Sequence, residues 1–184
     1  MAEQRVTLTQ LIDQLRQRAA YRHERNLILV ALPTETAHRD GPALARALGA
    51  DYLDFDCELL ARMEADDWED HVALERHGTL SVGRNLADEW LREDVAKRIR
   101  REQPLVIGNV NLAVRYNVDV AGALYDATSQ GLCVIAAGGR IQGQALLIHG
   151  TFQQTGATSL AYEVVPPSDD APPPPPSISQ ERFL

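Results

Sequence analysis

The sequence predicts a three-layer α/β domain with a parallel central sheet, and three apolar runs are the main basis for this prediction. The runs are residues 27–32, 105–110 and 132–137, and each is almost continuously apolar. Such runs are typical of strands that are buried on both faces of a parallel sheet. Helical patterns lie between them, and a strand–helix–strand order at this spacing indicates the βαβ units of an α/β fold.

Composition limits the number of domains and the kinds of partner. The chain has 184 residues, of which 45% are hydrophobic and 5% aromatic, which suits one α/β domain with tails. A formal net charge of -8 disfavours direct nucleic-acid binding, because that binding depends on a basic surface. Cys57 and Cys133 lie in apolar runs rather than in a disulfide framework, and neither a signal peptide nor a membrane-spanning segment is recognisable. We therefore expect a cytoplasmic protein with no membrane partner.

The chain divides into three predicted parts. Residues 1–25 carry an amphipathic helix, which we interpret as a lid or an interface helix. Its apolar face is formed by Leu8, Leu11, Ile12 and Leu15, which recur at helical spacing. Residues 26–165 form the α/β domain, and residues 166–184 form a proline-rich tail.

The domain begins with a strand, a loop and a helix between residues 26 and 50, an order found in nucleotide-binding α/β domains. We expect the loop to cover residues 33–41 and the helix to start at Pro42, because proline suits the first helical position. Gly49 is well placed to end this helix, and a second strand is predicted at residues 52–55.

Two carboxylates follow the second strand. Asp54 and Asp56 are two residues apart, so on a strand they would share one face, as carboxylates that hold a divalent metal often do. The alternative is that Asp51 and Asp56 flank the strand end or cap the next helix. Because no Asp, Glu or His partner with metal-ligand spacing is recognisable, we predict capping and no metal site.

The second half of the chain alternates between predicted helices and strands. Residues 85–102 show helical periodicity, residues 111–117 are expected to form a loop, and residues 118–129 are expected to form a helix. Two final strands are predicted at residues 145–148 and 160–165. A hairpin at the edge of the sheet is the arrangement that would pair them.

Standard phosphate-binding chemistry is missing from the first loop. Such a loop needs small residues, a lysine and a hydroxyl, and a later strand should end in an acidic residue that orients magnesium. The positions of these groups, and of a catalytic glutamate, are taken here by Ala31, Thr34, Thr36, Ala37, His38, Gly108 and Asn111. Lys97 is the one lysine in the sequence, and it lies in a helical stretch with no glycine loop before it.

These replacements together remove the electrostatic basis of phosphoryl transfer, so ATP hydrolysis by the usual route is not expected. Weak nucleotide binding stays open, because a helix N-terminus attracts anions without a lysine. The residues of this vestigial loop that would contact a nucleotide are Thr34, Thr36, His38 and Arg39. We therefore predict a P-loop NTPase-like core with no catalytic residues and no required cofactor.

The chain resembles the BrxF family, small P-loop ATPase-like components of BREX bacteriophage-exclusion systems. The resemblance covers about residues 26–150 and is carried by LILVALP, ALARALGADYLDFDCELLARM, PLVIGNVNLAV and LCVIAAGG. It implies a P-loop-like subunit of a bacterial anti-phage or related system, with the other proteins of that system as partners. The sequence departs from the family at the positions where the family places its chemistry, so no catalytic residue carries over.

The tail is a candidate docking segment. Residues 172–176 are all proline and should hold an extended polyproline II form. Ile178, Phe183 and Leu184 lie beyond this run and would contact a partner, and a terminus with no role is the alternative.

The missing phosphate chemistry and the tail together favour a non-catalytic pseudo-ATPase that acts as a binding or scaffold subunit. One alternative is an enzyme that binds a nucleotide or phosphate ligand through a nonstandard loop, with Asp54 or Asp56 on a metal. A second alternative is a self-assembling structural protein, in which the N-terminal helix and the edge strands would make the contacts of a homo-oligomer.

Overall fold

Six parallel strands form the central sheet, which confirms the predicted α/β class. The computed structural model describes residues 4–21, 25–65, 68–78, 80–100, 102–149, 151–153 and 160–166. In chain order, the strands of this sheet are β1 (Gln4–Val6), β2 (Leu27–Leu32), β3 (Asp51–Asp54), β4 (Leu105–Gly108), β5 (Cys133–Gly138) and β9 (Leu160–Val164). Their spatial order is β1-β9-β2-β5-β4-β3, and every neighbouring pair is parallel.

A smaller antiparallel sheet follows β5. Its strands are β6 (Arg140–Gln142), β7 (Ala145–Ile148) and β8 (Thr151–Gln153). The expected hairpin between the last two predicted strands is therefore wrong. β7 pairs with β6 and β8, whereas β9 lies in the central sheet between β1 and β2. The pairing of β9 depends on residues far away in the sequence, so the local pattern of residues 145–165 does not reveal it.

Helices cover both faces of the sheet and make three layers. One face carries α1 (Leu8–Ala20) and α2 (Ala37–Leu48). The other carries α3 (Phe55–Ala65), α4 (Trp68–Arg76), α5 (Ser81–Trp90), α6 (Ala96–Arg98), α7 (Asn111–Tyr116) and α8 (Val120–Leu124). A π-helical segment, Leu91–Val95, joins α5 to α6, and a 3-10 segment, Asp126–Ser129, follows α8.

β2 lies between β9 and β5 because both of its faces are apolar. All six of its residues are buried, and alternate side chains enter two separate apolar clusters. The cluster beneath α3 to α8 receives Leu27, Leu29 and Ala31, and the cluster beneath α1 and α2 receives Ile28, Val30 and Leu32. The period-2 alternation of a strand makes this division possible. The loop after β2 is thus anchored by a strand that is buried on both faces.

The N-terminal helix is confirmed, but its interpretation as a lid is wrong. Thr7 and Gln10 form a capping box at the start of α1, with backbone-to-side-chain bonds of 2.9 and 3.3 Å. Leu11 and Leu15 are fully buried, and the helix packs on α2 and β9. Leu8 and Ile12, on the same apolar face, are partly buried against the cluster beneath α1 and α2, so most of the face that a lid would use is covered. β1, which precedes α1, was not predicted, because a strand of three residues carries too little pattern.

Two further segments differ from the sequence prediction. Residues 111–117 were expected to be a loop, but most of them form the helix α7, whereas the expected helix over residues 118–129 is split into α8 and the 3-10 segment. The predicted helix at residues 85–102 is confirmed in outline, since helical structure extends from Ser81 to Arg98.

Candidate functional site

The carboxyl ends of β2, β4 and β5 surround a pocket of about 160 Å³. After β2 the chain continues into α2 on one face of the sheet, whereas after β5 it continues into β6 and β7 on the other face. The crevice between two strands whose connections diverge in this way is the usual ligand position in an open α/β sheet. Polar side chains that line it are Thr34, His38, Asn109, Asn111 and His149.

The loop that forms one wall of this pocket is shorter than predicted. The N–H of Thr36 donates to the Pro33 carbonyl at 3.0 Å, which closes a tight turn, and α2 begins at Ala37 rather than at the predicted Pro42. Pro42 lies inside the helix, where its fixed φ is compatible with helical geometry although it cannot donate a hydrogen bond. The preference of proline for the first helical position was therefore a misleading signal. Gly49 ends α2 with a positive φ of 62°, as expected.

The four predicted loop residues are divided between two environments. Thr34 and His38 line the pocket. The Thr36 hydroxyl instead donates to the Asp40 carboxylate at 2.5 Å. The Arg39 guanidinium donates to the same carboxylate at 3.1 Å, with 69% of its side chain exposed. Asp40 therefore engages two of the four residues that were expected to contact a nucleotide.

The opposite wall comes from residues that sequence reasoning mostly missed. Asn109 and His149 have positive φ angles of 50° and 46°, and both line the pocket. The Asn109 side-chain amide donates to Asp54 at 2.6 Å, and His149 Nε2 lies 3.1 Å from Asn111 Oδ1. A polar residue directly after the strand β4 is a signal that could have identified Asn109. His149 had no such signal, because it follows a strand of the smaller sheet.

Asp54 and Asp56 act as structural caps, which overturns the idea of a shared strand face. Asp54 is the last residue of β3 and accepts from the Cys57 N–H at 3.0 Å. Asp56 lies in α3 and accepts from the backbone N–H groups of Asn111 and Leu112 at 3.2 and 2.8 Å, so it caps α7. Burial raises the pKa of Asp56, and these hydrogen bonds oppose the rise.

Within the described parts of the chain, no group of three or more His, Cys, Asp and Glu side chains is placed to hold a metal ion. The Asp54 and Asp56 carboxylates are instead engaged by the hydrogen bonds of the caps.

Tyr52 fills the space that an acidic side chain at position 108, at the end of β4, would occupy. A Cβ atom at Gly108 would overlap the Tyr52 hydroxyl and would lie 3.0 Å from ring atoms Cε2 and Cζ. The same ring is 3.5 Å from the Cβ position of Gly41, so Tyr52 is wedged between α2 and β4. Its hydroxyl is buried without a hydrogen-bond partner among the described residues, and burial raises the pKa of Tyr52 to about 12. Gly108 is therefore required by the packing of Tyr52.

The loop also packs tightly on β5. A Cβ at Gly138 would lie only 3.1 Å from Thr34 Cα and 3.5 Å from Ala37 Cβ. The loop and the first turn of α2 carry two acidic residues, Glu35 and Asp40, against one arginine. Lys97 belongs to α6, which leads into the amino end of β4 and so lies at the opposite edge of the sheet. Space and charge both disfavour a polyphosphate at this loop.

Comparison of the chain with protein-family models, with curated proteins and with solved structures found no match. Across the residues that the structure describes, no helix combines the length and the apolar character that crossing a membrane requires.

Proposed function

We propose that this chain is a non-catalytic, P-loop-like binding or scaffold subunit of a bacterial multi-protein system, and that the system serves anti-phage defence. The sequence resemblance to the BrxF family supports the type of system. A parallel sheet with a loop and a helix at its switch point supports a P-loop-like origin. The observation that best supports the loss of catalysis is the Tyr52 ring over Gly108.

Phosphoryl transfer needs two kinds of charge at the site. Magnesium must be held by a carboxylate, and a cation must offset the charge that develops on the phosphoryl group. Tyr52 takes the space of the carboxylate at position 108, and position 111 is a neutral asparagine whose amide is bonded to Asp56 at 2.9 Å. With Ala37 at the lysine position, neither charge is supplied.

The size of the pocket supports the same proposal. Pockets that enclose drug-sized ligands or cofactors usually measure about 300–1,000 Å³. The pocket at the carboxyl edge measures about 160 Å³, and the loop that would have to move is packed against Gly138.

Co-purification tests this proposal. The full-length chain would be co-expressed with the products of its neighbouring genes and purified in the presence and absence of Mg-ATP. We expect a stable complex whose yield is the same in both conditions. A complex that forms only with nucleotide, or no complex with any neighbouring product, would contradict the scaffold role. A matched sample without residues 166–184 tests whether the tail contributes to capture.

A small phosphate ligand is the second candidate, and the early start of α2 favours it. Because α2 begins at Ala37, its first N–H groups lie beside the pocket next to His38, and helix N-termini attract anions. The pocket volume suits inorganic phosphate better than a nucleotide. Thermal melting with inorganic phosphate, at constant ionic strength, distinguishes this candidate. A saturable rise of the melting temperature that His38→Ala removes would support it, and an unchanged melting temperature would exclude it.

A further inference from the structure

A second and larger cavity lies on the helical layer and shares no lining residue with the pocket at the carboxyl edge. It measures about 460 Å³ and is formed by α3, α4 and α7; we call it the α3–α4–α7 groove. Its apolar floor is made by Leu60, Val72 and Leu112. Leu60 is 37% exposed and is one of two large hydrophobic side chains, with Tyr21, that are exposed among the described residues. The groove therefore presents apolar surface that the described chain leaves open to solvent.

The rim of the groove differs in charge from the rest of the chain. It carries Arg76, Arg115 and one acidic residue, Glu75, on a chain whose formal net charge is -8. Glu75 is bonded to Arg115 at 2.6 Å and also accepts from the Tyr116 hydroxyl, so these three side chains form a fixed wall. Arg76 forms no ion pair with any residue that the structure describes. An acidic side chain in an occupant would pair with it.

The sequence outside the described residues offers an occupant with matching chemistry. Beyond Pro166, the aliphatic and aromatic residues other than Ala171 and the prolines are Ile178, Phe183 and Leu184. Glu181 lies two residues before Phe183. Residues 167–184 contain three acidic residues and one basic residue, a net charge opposite in sign to that of the rim; Asp169 and Asp170 lie in the spacer, and residues 177–184 carry Glu181 and Arg182.

The length of the connection allows docking within one chain. β9 ends at the same edge of the sheet as β4, which leads into α7, and β9 and β4 are three strand steps apart. Three steps correspond to about 14 Å at the usual strand spacing. The groove lies one helical layer farther, about 10 Å, and ten residues, 167–176, can extend over at most about 33 Å, so residues 177–184 can reach it.

We propose that residues 177–184 dock in the α3–α4–α7 groove of their own chain, with Phe183 and Leu184 on the apolar floor and Glu181 beside Arg76. The segment then acts as a removable cover. A partner that presents a similar apolar and acidic peptide must displace it, so the cover lowers the apparent affinity of the groove. This proposal goes beyond the scaffold role and does not depend on whether the loop after β2 binds nucleotide.

A fluorescent peptide with the sequence SISQERFL tests the proposal by anisotropy. The full-length chain would be compared with the full-length double variant Phe183→Ser/Leu184→Ser, in which the cover is disabled. We expect the peptide to bind the double variant about 10-fold or more tighter than the unmodified chain, because a tethered segment competes at high effective concentration. Equal binding to both chains, or binding to neither, would overturn the proposal.

Two further variants locate the binding surface. In the double-variant background, Leu60→Lys should weaken peptide binding about 10-fold or more, since it places a charge on the apolar floor. Tyr21→Lys is the matched control, because Tyr21 is the other exposed large hydrophobic and follows α1 on the opposite face of the sheet. It should leave binding unchanged. Circular dichroism and unfolding curves verify that both variants are folded, and equal effects of the two substitutions would contradict the proposed site.

A charge exchange tests the pairing of Glu181 with Arg76. Arg76→Glu in the double-variant background should weaken binding of SISQERFL about three- to five-fold, as expected for an exposed ion pair. A peptide with Glu181→Arg should bind this Arg76→Glu variant with the lost affinity restored.

Light scattering of the unmodified chain over a concentration series decides whether the segment docks on its own chain or on a second copy. A dimer that Phe183→Ser/Leu184→Ser converts to a monomer would show that the segment docks on a second copy and would overturn docking within one chain.

Discussion

The pocket at the carboxyl edge and the α3–α4–α7 groove contrast in how their side chains are engaged. Beside the pocket, Asp54 and Asp56 accept hydrogen bonds from the pocket residues Asn109 and Asn111 and cap nearby backbone, and Tyr52 fills the place of an acidic residue. At the groove, the floor is apolar and open, and Arg76 has no ion-pair partner among the described residues. Whether the side chains of a pocket are already bonded within the protein is therefore a better guide to binding than the position of the pocket in the fold.

Substitutions beside the pocket and substitutions in the α3–α4–α7 groove should differ strongly in their effect on stability. Gly108→Asp should have the largest effect. The new side chain would overlap Tyr52 and would bury a carboxylate beneath α2. We expect a loss of about 3–5 kcal/mol in the free energy of unfolding, measured in urea. Gly108→Ala should lose less, and its loss should shrink further in a Tyr52→Phe background, because the overlapping hydroxyl is gone. If Gly108→Asp is tolerated without loss, Tyr52 does not fill the acidic position.

Asp56→Ala should have the next largest effect. Asp56 accepts two backbone N–H groups and the Asn111 amide at the start of α7, and these donors would lose their partner. Loss of a partly buried cap of this kind costs about 2 kcal/mol, which chemical denaturation can measure. Asp51→Ala is a suitable control, because Asp51 accepts only from the Gln103 side chain in the described structure and should cost much less. Equal losses for both substitutions would contradict the capping role.

Tyr52→Phe should stabilise the protein slightly. The substitution removes a buried hydroxyl that has no partner among the described residues, and we expect a gain of about 1 kcal/mol. The effect should also depend on pH. Because the pKa of Tyr52 is raised to about 12 from 10.0, the folded state holds the phenolic proton more tightly, so the unmodified chain loses stability as pH rises between these values. The phenylalanine variant should lose less stability in that range, and a destabilised Tyr52→Phe variant would indicate an unseen partner for the hydroxyl.

Leu60→Lys should have the smallest effect on stability. The side chain lies on an open groove, and exposed substitutions usually change the free energy of unfolding by less than about 0.5 kcal/mol. Leu59→Lys, one residue earlier and fully buried in α3, is the matched contrast and should unfold the domain. A large loss for Leu60→Lys would mean that the groove is part of the core rather than a surface for binding.

The sequence predicts the parts of this fold whose signals are local. Three apolar runs identified β2, β4 and β5, and helical periodicity identified α1 and the long helical stretch before β4. The predictions that were wrong concern elements whose structure depends on residues far away in the sequence. α7 starts at Asn111 because Asp56, 55 residues earlier, caps it, and no pattern within residues 111–117 shows this. β9 is placed by its partners β1 and β2 in the same way.

The sequence identified several residues of the candidate site, but it did not predict how those residues contact one another. The sequence identified Gly108 as a missing acidic residue, but the reason for the glycine lies in Tyr52 on the neighbouring strand β3, whose parallel register with β4 sets the contact. Thr34 and His38 line the pocket, whereas the side chains of Thr36 and Arg39 bond to Asp40, and nucleotide contact by any of the four stays a prediction. The predicted docking residues Ile178, Phe183 and Leu184 lie outside the described residues, so their role stays a prediction.

We propose that the loop after β2 does not bind a nucleotide, and thermal melting with Mg-ATP tests this proposal most directly. A ligand present at 100 times its dissociation constant would add about 2.7 kcal/mol to the free energy of unfolding. The full-length chain should show no saturable change of its melting temperature with millimolar Mg-ATP or Mg-ADP, relative to magnesium and sodium salts at equal ionic strength. A saturable rise that His38→Ala or Thr34→Ala diminishes would contradict the claim and would restore this loop as a nucleotide site.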